Sequence, residues 1–146
     1  MPPVSQTPAE TEHALAAVRA ACLGLPRVTE RMSHGSPAFF VQQRCFVTFH
    51  DDHHGDGRLA LWCAAPDGAQ AELLALEPDR YFRPPYVGGR GWVGADLRLL
   101  EPAELTGLCR DAWLCSASVT ARRDLERATP EGEQRAAGWG QTPMRG

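Results

Sequence analysis

The residues that could do chemistry are most concentrated in one short stretch, HDDHHGDG, which runs from His50 to Gly57. Its imidazole and carboxylate side chains are ligands that zinc and related metals accept. Alternate residues of an extended chain share a face, so His50, Asp52 and His54 are weak candidate metal ligands. The stretch matches neither an EF-hand loop nor H-E-x-x-H. We therefore predict a solvated loop that carries no structural metal.

The five cysteines are Cys22, Cys45, Cys63, Cys109 and Cys115. Their number is odd and no two have C-x-x-C spacing, whereas zinc sites need clustered ligands and secreted frameworks usually have even numbers of cysteines. Each lies among apolar neighbours, which predicts buried free thiols that pack as small hydrophobic groups.

Two further stretches come near catalytic or nucleotide-binding motifs without matching them. His34 and Ser36 are close in sequence, but no G-x-S-x-G elbow surrounds the serine, so a turn is predicted. GGRG, at residues 88–91, lacks the Lys and Ser or Thr of a phosphate-binding loop, and no helix directly follows it. The sequence favours a protein that is not an enzyme and uses no cofactor, with an enzyme of unrecognised type as an alternative.

The first element expected to support these residues is a helix that begins near Thr7. Thr7 is a suitable N-cap, Pro8 suits the first helical position, and Glu10 completes a capping box. Gly24 is expected to end the helix with a positive φ. An apolar stripe at helical spacing is formed by Leu15, Val18 and Cys22.

The middle of the chain has the composition of a β-sheet. AFFV (38–41) and CFVTFH (45–50) flank a polar turn and predict a hairpin. RLALWCA (58–64) predicts a third strand, which makes HDDHHGDG the connection between two strands. A short helix is predicted over 66–76, and one more strand over 92–97.

Two helices are predicted to complete the domain. One begins at Glu101-Pro102 with a core-facing stripe, and Ser118 is a suitable cap for the next. From residue 129 onward no apolar period is present, which predicts a flexible tail that is dispensable for folding, with docking of its Trp139 as an alternative. The chain thus divides into a segment 1–8, a single domain 9–128 and a tail 129–146.

Several of these segments together resemble one protein family. They are HGSPAFFV (34–41), RCFVTF (44–49), DRYFRPPYVGGRGWVGADL (79–97) and DAWL (111–114), and in this order they resemble the MmcQ/YjbR family over roughly residues 9–127. The PPY-x-G-x-x-GWV segment is the most specific. The resemblance implies an α+β domain with an antiparallel sheet of about four or five strands and helices on one face. Such folds have been likened to a double wing and to CyaY, and the family is commonly described as DNA-binding.

Two function hypotheses follow for the segment 77–99. Its net charge is +1, and Arg80, Arg83, Tyr86, Arg90 and Trp92 combine cations with stacking rings, which suits nucleic acid. The whole chain carries a net charge of -3, so DNA or RNA binding is expected to be weak. The alternative is a module for a protein partner or a small anionic ligand on the concave side of the sheet, near Tyr86, Arg90 and Trp92. A purely structural role of Trp92 in the core is also open.

The sequence does not point to a membrane. No apolar run reaches 18 residues, and the first 13 residues lack the basic and apolar regions of a signal peptide. We expect a cytoplasmic protein with no membrane partner.

Overall fold

The structure is a computed structural model that describes residues 7–128, so the predicted tail 129–146 with Trp139 lies outside the described residues. Within that range the chain forms four α-helices and six strands. The helices are α1 (Pro8–Leu23), α2 (Ala69–Leu76), α3 (Pro102–Ser116) and α4 (Val119–Ala128). The strands are β1 (Val28–Ser33), β2 (Ser36–Val41), β3 (Arg44–Asp51), β4 (Leu59–Cys63), β5 (Tyr81–Phe82) and β6 (Val93–Asp96).

The strands form one antiparallel sheet in the order β1-β2-β3-β4-β6-β5. The α+β fold, the β2–β3 hairpin and the connection of β3 to β4 through the His-rich stretch are confirmed. The sheet formed by the described residues has six strands, whereas about four or five were expected. The reason is β5, whose two residues, Tyr81 and Phe82, are too few to show a periodic pattern.

Helix α1 begins as predicted, but it does not end as predicted. Thr7 Oγ1 accepts a hydrogen bond from the Glu10 backbone N–H at 3.1 Å, and Glu10 Oε1 accepts one from the Thr7 N–H at 2.8 Å. This capping box satisfies two otherwise unpaired donors of the first turn. The expectation of a positive φ at Gly24 is wrong, because its φ is -74°. The chain instead reverses at Arg27, which has φ 60° and lies after Pro26.

Helices α1 and α3 cover one face of the sheet and enclose the main core. The largest fully buried side chain is Trp113 of α3, and its Nε1 donates to the Pro26 carbonyl oxygen at 3.0 Å. Phe39 and Phe46 approach it from the sheet, and Val18 from α1. Burial of such large apolar groups is the main source of stability in a domain of this size.

The cysteines are only partly as expected. Cys22, Cys63 and Cys109 are buried in the main core as free thiols. Cys45 is half-buried, and Cys115 is exposed, so the expectation of burial is wrong for Cys115. Cys115 lies in the last turn of α3, past the apolar stripe that faces the sheet.

The second face of the sheet points away from α1 and α3, and we call it the open face. Strand register places Ala38, Thr48, Trp62, Gly94 and Phe82 in one row across it. Neighbouring positions along the strands largely alternate between this face and the main core. The β2–β3 register shifts between Phe39 and Phe40, and there the neighbours Phe46 and Val47 both belong to the main core. No helix within residues 7–128 is both long enough and apolar enough to cross a membrane.

Candidate functional site

A cavity of about 1010 Å³ lies on the open face of the sheet. It is bordered by strands β2 to β4, by the His-rich connection and by the segment 84–92, and we call it the open-face cavity. Its cationic, imidazole and aromatic lining residues are Arg44, Arg90, His34, His50, His53, His54, Trp62, Tyr86 and Trp92. The volume is at the upper end of the range for small-molecule sites.

The open-face cavity has an uneven charge composition. The chain contains 18 acidic residues, yet none of the nineteen residues that line this cavity is Asp or Glu. Several other arginines, such as Arg19, Arg27 and Arg80, form ion pairs, but Arg44 and Arg90 form none with the described residues. The cavity therefore presents two exposed guanidinium groups without a neutralising carboxylate in its wall.

His50 and Trp62 form the centre of the cavity wall. Their rings stack with centroids 3.6 Å apart, and the ring of His53 lies 4.9 Å from that of Trp62. His50 Nε2 lies 2.8 Å from Thr48 Oγ1, and its Nδ1 lies 3.3 Å from Ser36 Oγ. Hydroxyl groups both donate and accept, so either neutral tautomer of His50 is satisfied.

Burial makes His50 a poor general base. It lowers the pKa of His50 to about 4, with a further contribution from the nearby His53, because a buried imidazolium loses its hydration. A serine is activated efficiently when the base has a pKa near the working pH. The contact between Ser36 and His50 is therefore better suited to fixing the ring than to nucleophilic catalysis.

The indole nitrogen of Trp62 is a buried donor with no acceptor among residues 7–128. Buried polar groups in native proteins are nearly always paired, so such a group calls for an explanation. Trp62 is 4% exposed and belongs to the wall of the open-face cavity. The nitrogen itself is enclosed, so it lies behind the surface that Trp62 contributes to the cavity.

Helix α2 holds the segment 84–92 against the sheet through one side chain. Gln70 Nε2 donates to the Gly88 carbonyl oxygen at 2.8 Å and to the Trp92 carbonyl oxygen at 2.6 Å. Within the segment, the Gly88 N–H also donates to the Pro84 carbonyl oxygen and the Gly91 N–H to the Gly88 carbonyl oxygen. Gln70 thus holds the part of the segment that contains Arg90, which lies between its two acceptors in sequence, while Tyr86 lies two residues before the first of them.

Three of the five residues predicted to bind nucleic acid or ligand line the cavity: Tyr86, Arg90 and Trp92. The ring of Tyr86 is 77% exposed, whereas Trp92 is 6% exposed and packs with Trp62. The guanidinium of Arg90 lies 5.5 Å from the centroid of the Trp92 ring. Trp92 therefore anchors the segment 84–92 to the sheet, and its ring lies beside the guanidinium of Arg90.

The other two predicted residues, Arg80 and Arg83, do not line the cavity. Arg80 forms an ion pair with Glu104 of α3, on the side of the sheet that the helices cover. Arg83 packs across the backbone of Gly88, and its Nη1 lies 3.5 Å from Gln70 Oε1. Both arginines lie close to Arg90 in sequence. In the folded chain, however, Arg80 contacts Glu104 and Arg83 contacts Gln70, and neither lines the cavity.

The weak metal candidates are also separated. His50 and His54 line the cavity, but the Asp52 carboxylate accepts a hydrogen bond from the Gly57 N–H at 2.7 Å and closes the loop. Asp52 and His54 both have left-handed backbone conformations, with φ of 56° and 50°. Among the described residues, no group of three or more His, Cys, Asp or Glu side chains is arranged to hold a metal ion.

Sequence reasoning missed Ser36, Arg44, Thr48 and Trp62 as members of the site. One signal was present, because Thr48 and His50 are polar residues two positions apart in an otherwise apolar strand. That spacing places both side chains on one face of β3. The apolar composition of the strand, taken alone, would have predicted that both of its faces are buried in a core. Arg44 carries no comparable signal, since an exposed arginine beside a turn is common.

Comparison with known proteins gives three findings. The family model described as YjbR matches residues 23–115. A search of curated proteins gave no match to this sequence. Among solved structures, the chain is similar to the crystal structure of Deinococcus radiodurans protein DR2400, described as a DUF419 domain. The TM-score is 0.65 at 18% identity, and the match covers 82% of this chain and 93% of that chain, which demonstrates a shared fold.

Proposed function

The chain belongs to the YjbR family, and on that premise we propose that its open-face cavity binds a small anionic ligand. One observation carries the proposal. In a chain with a net charge of -3, the lining of the open-face cavity excludes every carboxylate and includes Arg44, Arg90 and four of the five histidines. This proposal concerns binding and assigns no reaction.

The two arginines without an ion pair lie where they favour the binding of an anion. An arginine that already faces a carboxylate gains little from a second anion, because its charge is largely compensated. Arg44 and Arg90 lack such a partner within residues 7–128 and border a partly enclosed, low-dielectric wall, where field lines are concentrated. Guanidinium groups also match carboxylate and phosphate geometry by donating two parallel hydrogen bonds.

The size of the cavity sets the size of the ligand that it can hold. The cavity volume of about 1010 Å³ leaves room for a ligand much larger than a single phosphate.

A titration with inorganic pyrophosphate, followed by calorimetry at low and moderate salt, tests the proposal. Replacing Arg44 and Arg90 together by Gln should weaken binding roughly tenfold or more per arginine, the value of a lost charge-assisted hydrogen bond. The matched control replaces Arg110 and Arg123 by Gln, which changes the net charge equally but leaves the cavity intact. Equal weakening by both double variants would contradict the proposal, since it would indicate a general charge effect.

A second candidate function is weak binding of single-stranded nucleic acid, and the exposure of the Tyr86 ring beside Arg90 favours it. Bases stack on exposed aromatic rings while arginines contact the backbone. Ion pairs with Glu104 and with Asp96 occupy Arg80 and Arg98, which leaves Arg83 and Arg90 as the arginines of the segment 77–99 available to phosphate.

The test is a fluorescence titration with a short single-stranded oligonucleotide at several salt concentrations. Replacing Arg83 and Arg90 by Ala should flatten the slope of log affinity against log salt by about 0.7 for each lost phosphate contact. An unchanged slope would place the contact elsewhere, and no binding by the native protein at low salt would eliminate this second candidate.

A further inference from the structure

Tyr86 has an unusual backbone conformation for a residue with a side chain. Its φ is 66° and its ψ is -60°, and the Val87 N–H donates to the Pro85 carbonyl oxygen at 2.6 Å. These values describe a γ-turn with a positive φ at its central residue, which is strained for any L-residue other than glycine. Strain of this kind persists only when the surrounding structure imposes it.

The surroundings of Tyr86 do impose it. Pro84 and Pro85 restrict the approach to the turn, and the Gly88 N–H donates to the Pro84 carbonyl oxygen at 3.0 Å. On the far side, Gln70 Nε2 holds the carbonyl oxygens of Gly88 and Trp92. The turn is thus fixed at both ends, and its central side chain is directed by the backbone rather than by its own packing.

Burial of the Tyr86 ring does not offset this strain. The ring is 77% exposed, the largest exposed fraction among the large apolar side chains of the described residues. Its nearest aromatic neighbour there is His53, with centroids 6.0 Å apart and planes at 74°. An exposed aromatic ring on a strained, doubly anchored turn at the opening of a cavity is the arrangement expected of a residue that contacts a ligand.

We propose that Tyr86 stacks on a planar ring of the ligand, so that the open-face cavity selects an aromatic ring that carries a phosphate or carboxylate over a bare or aliphatic anion. The inference rests on the proposed function, in which Arg44 and Arg90 bind the anionic group. Tyr86 selects the chemical group to which that anion is attached, because it stacks only on a planar ring. Arg90 lies four residues beyond Tyr86 on the same anchored segment, so the ring and the cation keep a fixed separation.

The test compares two probes with the same anionic group, phenyl phosphate and ethyl phosphate. Stacking on an aromatic residue should make the native protein bind phenyl phosphate roughly tenfold tighter than ethyl phosphate. The Tyr86→Leu variant should lose this ratio and keep its affinity for ethyl phosphate, whereas Tyr86→Phe should keep the ratio. Replacing Arg44 and Arg90 by Gln should weaken both probes by the same factor.

The Tyr86→Gly variant separates a ligand-binding role from a structural one. Glycine adopts the positive φ without strain, so the melting temperature should be unchanged or higher while the preference for phenyl phosphate disappears. A large fall in melting temperature would mean that the ring supports the fold, and the inference would be overturned.

The outcomes also distinguish this inference from the proposed function. If the native protein binds both probes equally and the double arginine variant weakens both, the cavity binds anions but Tyr86 does not select the ring. If neither probe nor pyrophosphate binds, both proposals are wrong. If Tyr86→Leu leaves a strong preference for phenyl phosphate, another aromatic residue performs the stacking and the assignment to Tyr86 is overturned.

Discussion

His50 and Trp62 stack nearly face to face, with ring centroids 3.6 Å apart and planes inclined by 24°. The pair lies on the open face of the sheet, on adjacent strands β3 and β4. Their strands are registered so that Thr48 lies opposite Trp62 and His50 opposite Ala60, which makes the stacking a diagonal contact. Two predictions about the pair follow from its burial.

The first prediction concerns acid stability. The folded protein lowers the pKa of His50 to about 4, while an unfolded histidine titrates near 6.5. Above pH 6.5 the His50 ring is neutral in both the folded and the unfolded protein, so the free energy of unfolding is not reduced by its titration. As the pH falls from 6.5 to about 4 the unfolded chain gains a proton that the folded protein resists, so roughly 3 kcal/mol of stability is lost.

Urea denaturation at pH 7 and at pH 4.5 measures this loss. The His50→Gln variant cannot take up the proton and should show a smaller fall between the two pH values. The His53→Gln variant is the control and should retain most of the native fall. An identical fall in the native protein and in His50→Gln would contradict a lowered pKa at this position.

The second prediction compares one substitution at two tryptophans. Trp62 has a buried N–H without an acceptor among the described residues, while Trp113 Nε1 donates to Pro26 O at 3.0 Å. Trp62→Phe removes an unpaired donor, which offsets the lost ring area, and should change stability by less than about 1 kcal/mol. Trp113→Phe removes a hydrogen bond and leaves space in a tight core, and should cost about 2–3 kcal/mol. Equal losses in chemical denaturation would show that Trp62 is paired in solution.

The third prediction concerns two glycines. A Cβ at Gly94 of β6 would lie 2.4 Å from the ring of Phe82, so Gly94→Ala should cost about 1–3 kcal/mol through overpacking. A Cβ at Gly107 of α3 would meet no atom within 4 Å. Gly107→Ala should therefore stabilise the helix by about 0.5–1 kcal/mol. Thermal and urea denaturation check the signs, and a stable Gly94→Ala variant would mean that Phe82 is free to move.

The fourth prediction concerns the His-rich connection. Asp52 uses its carboxylate to close the loop on Gly57, and the loop has no three-ligand arrangement within residues 7–128. Prolonged treatment with a chelator should leave the melting temperature unchanged. Elemental analysis of the purified protein is the complementary measurement, and stoichiometric zinc lost together with stability would refute this expectation.

Only part of the site could be predicted from the sequence, and Arg80 and Arg90 illustrate the reason. They are ten positions apart in one basic, aromatic segment, and both were predicted to bind the same partner. Arg80 forms ion pairs with Glu77, three residues earlier, and with Glu104, which is 24 residues away and which no local pattern connects to it. Arg90 lines the same cavity as Arg44 and His50 of β3, which is one of the two central strands of the sheet.

Local interactions explain what the sequence by itself determined. The capping box of Thr7 and Glu10, the core stripe of α3, the cap at Ser118 and the β2–β3 hairpin all depend on residues within a few positions of one another. These interactions can therefore be recognised from short segments of the sequence. The PPYVGGRGW segment likewise identified the family before any contact was known.

Only the tertiary structure decided which face of the sheet the helices cover. Alternation along a strand separates two faces but does not say which one a helix will bury, and the β3 residues on both faces are largely apolar or buried. Packing of α1 and α3 on the side of Phe39 left Thr48, His50 and Trp62 on the open face. The open-face cavity exists because cross-strand register and helix packing, which are long-range, place these residues beside Tyr86 and Arg90.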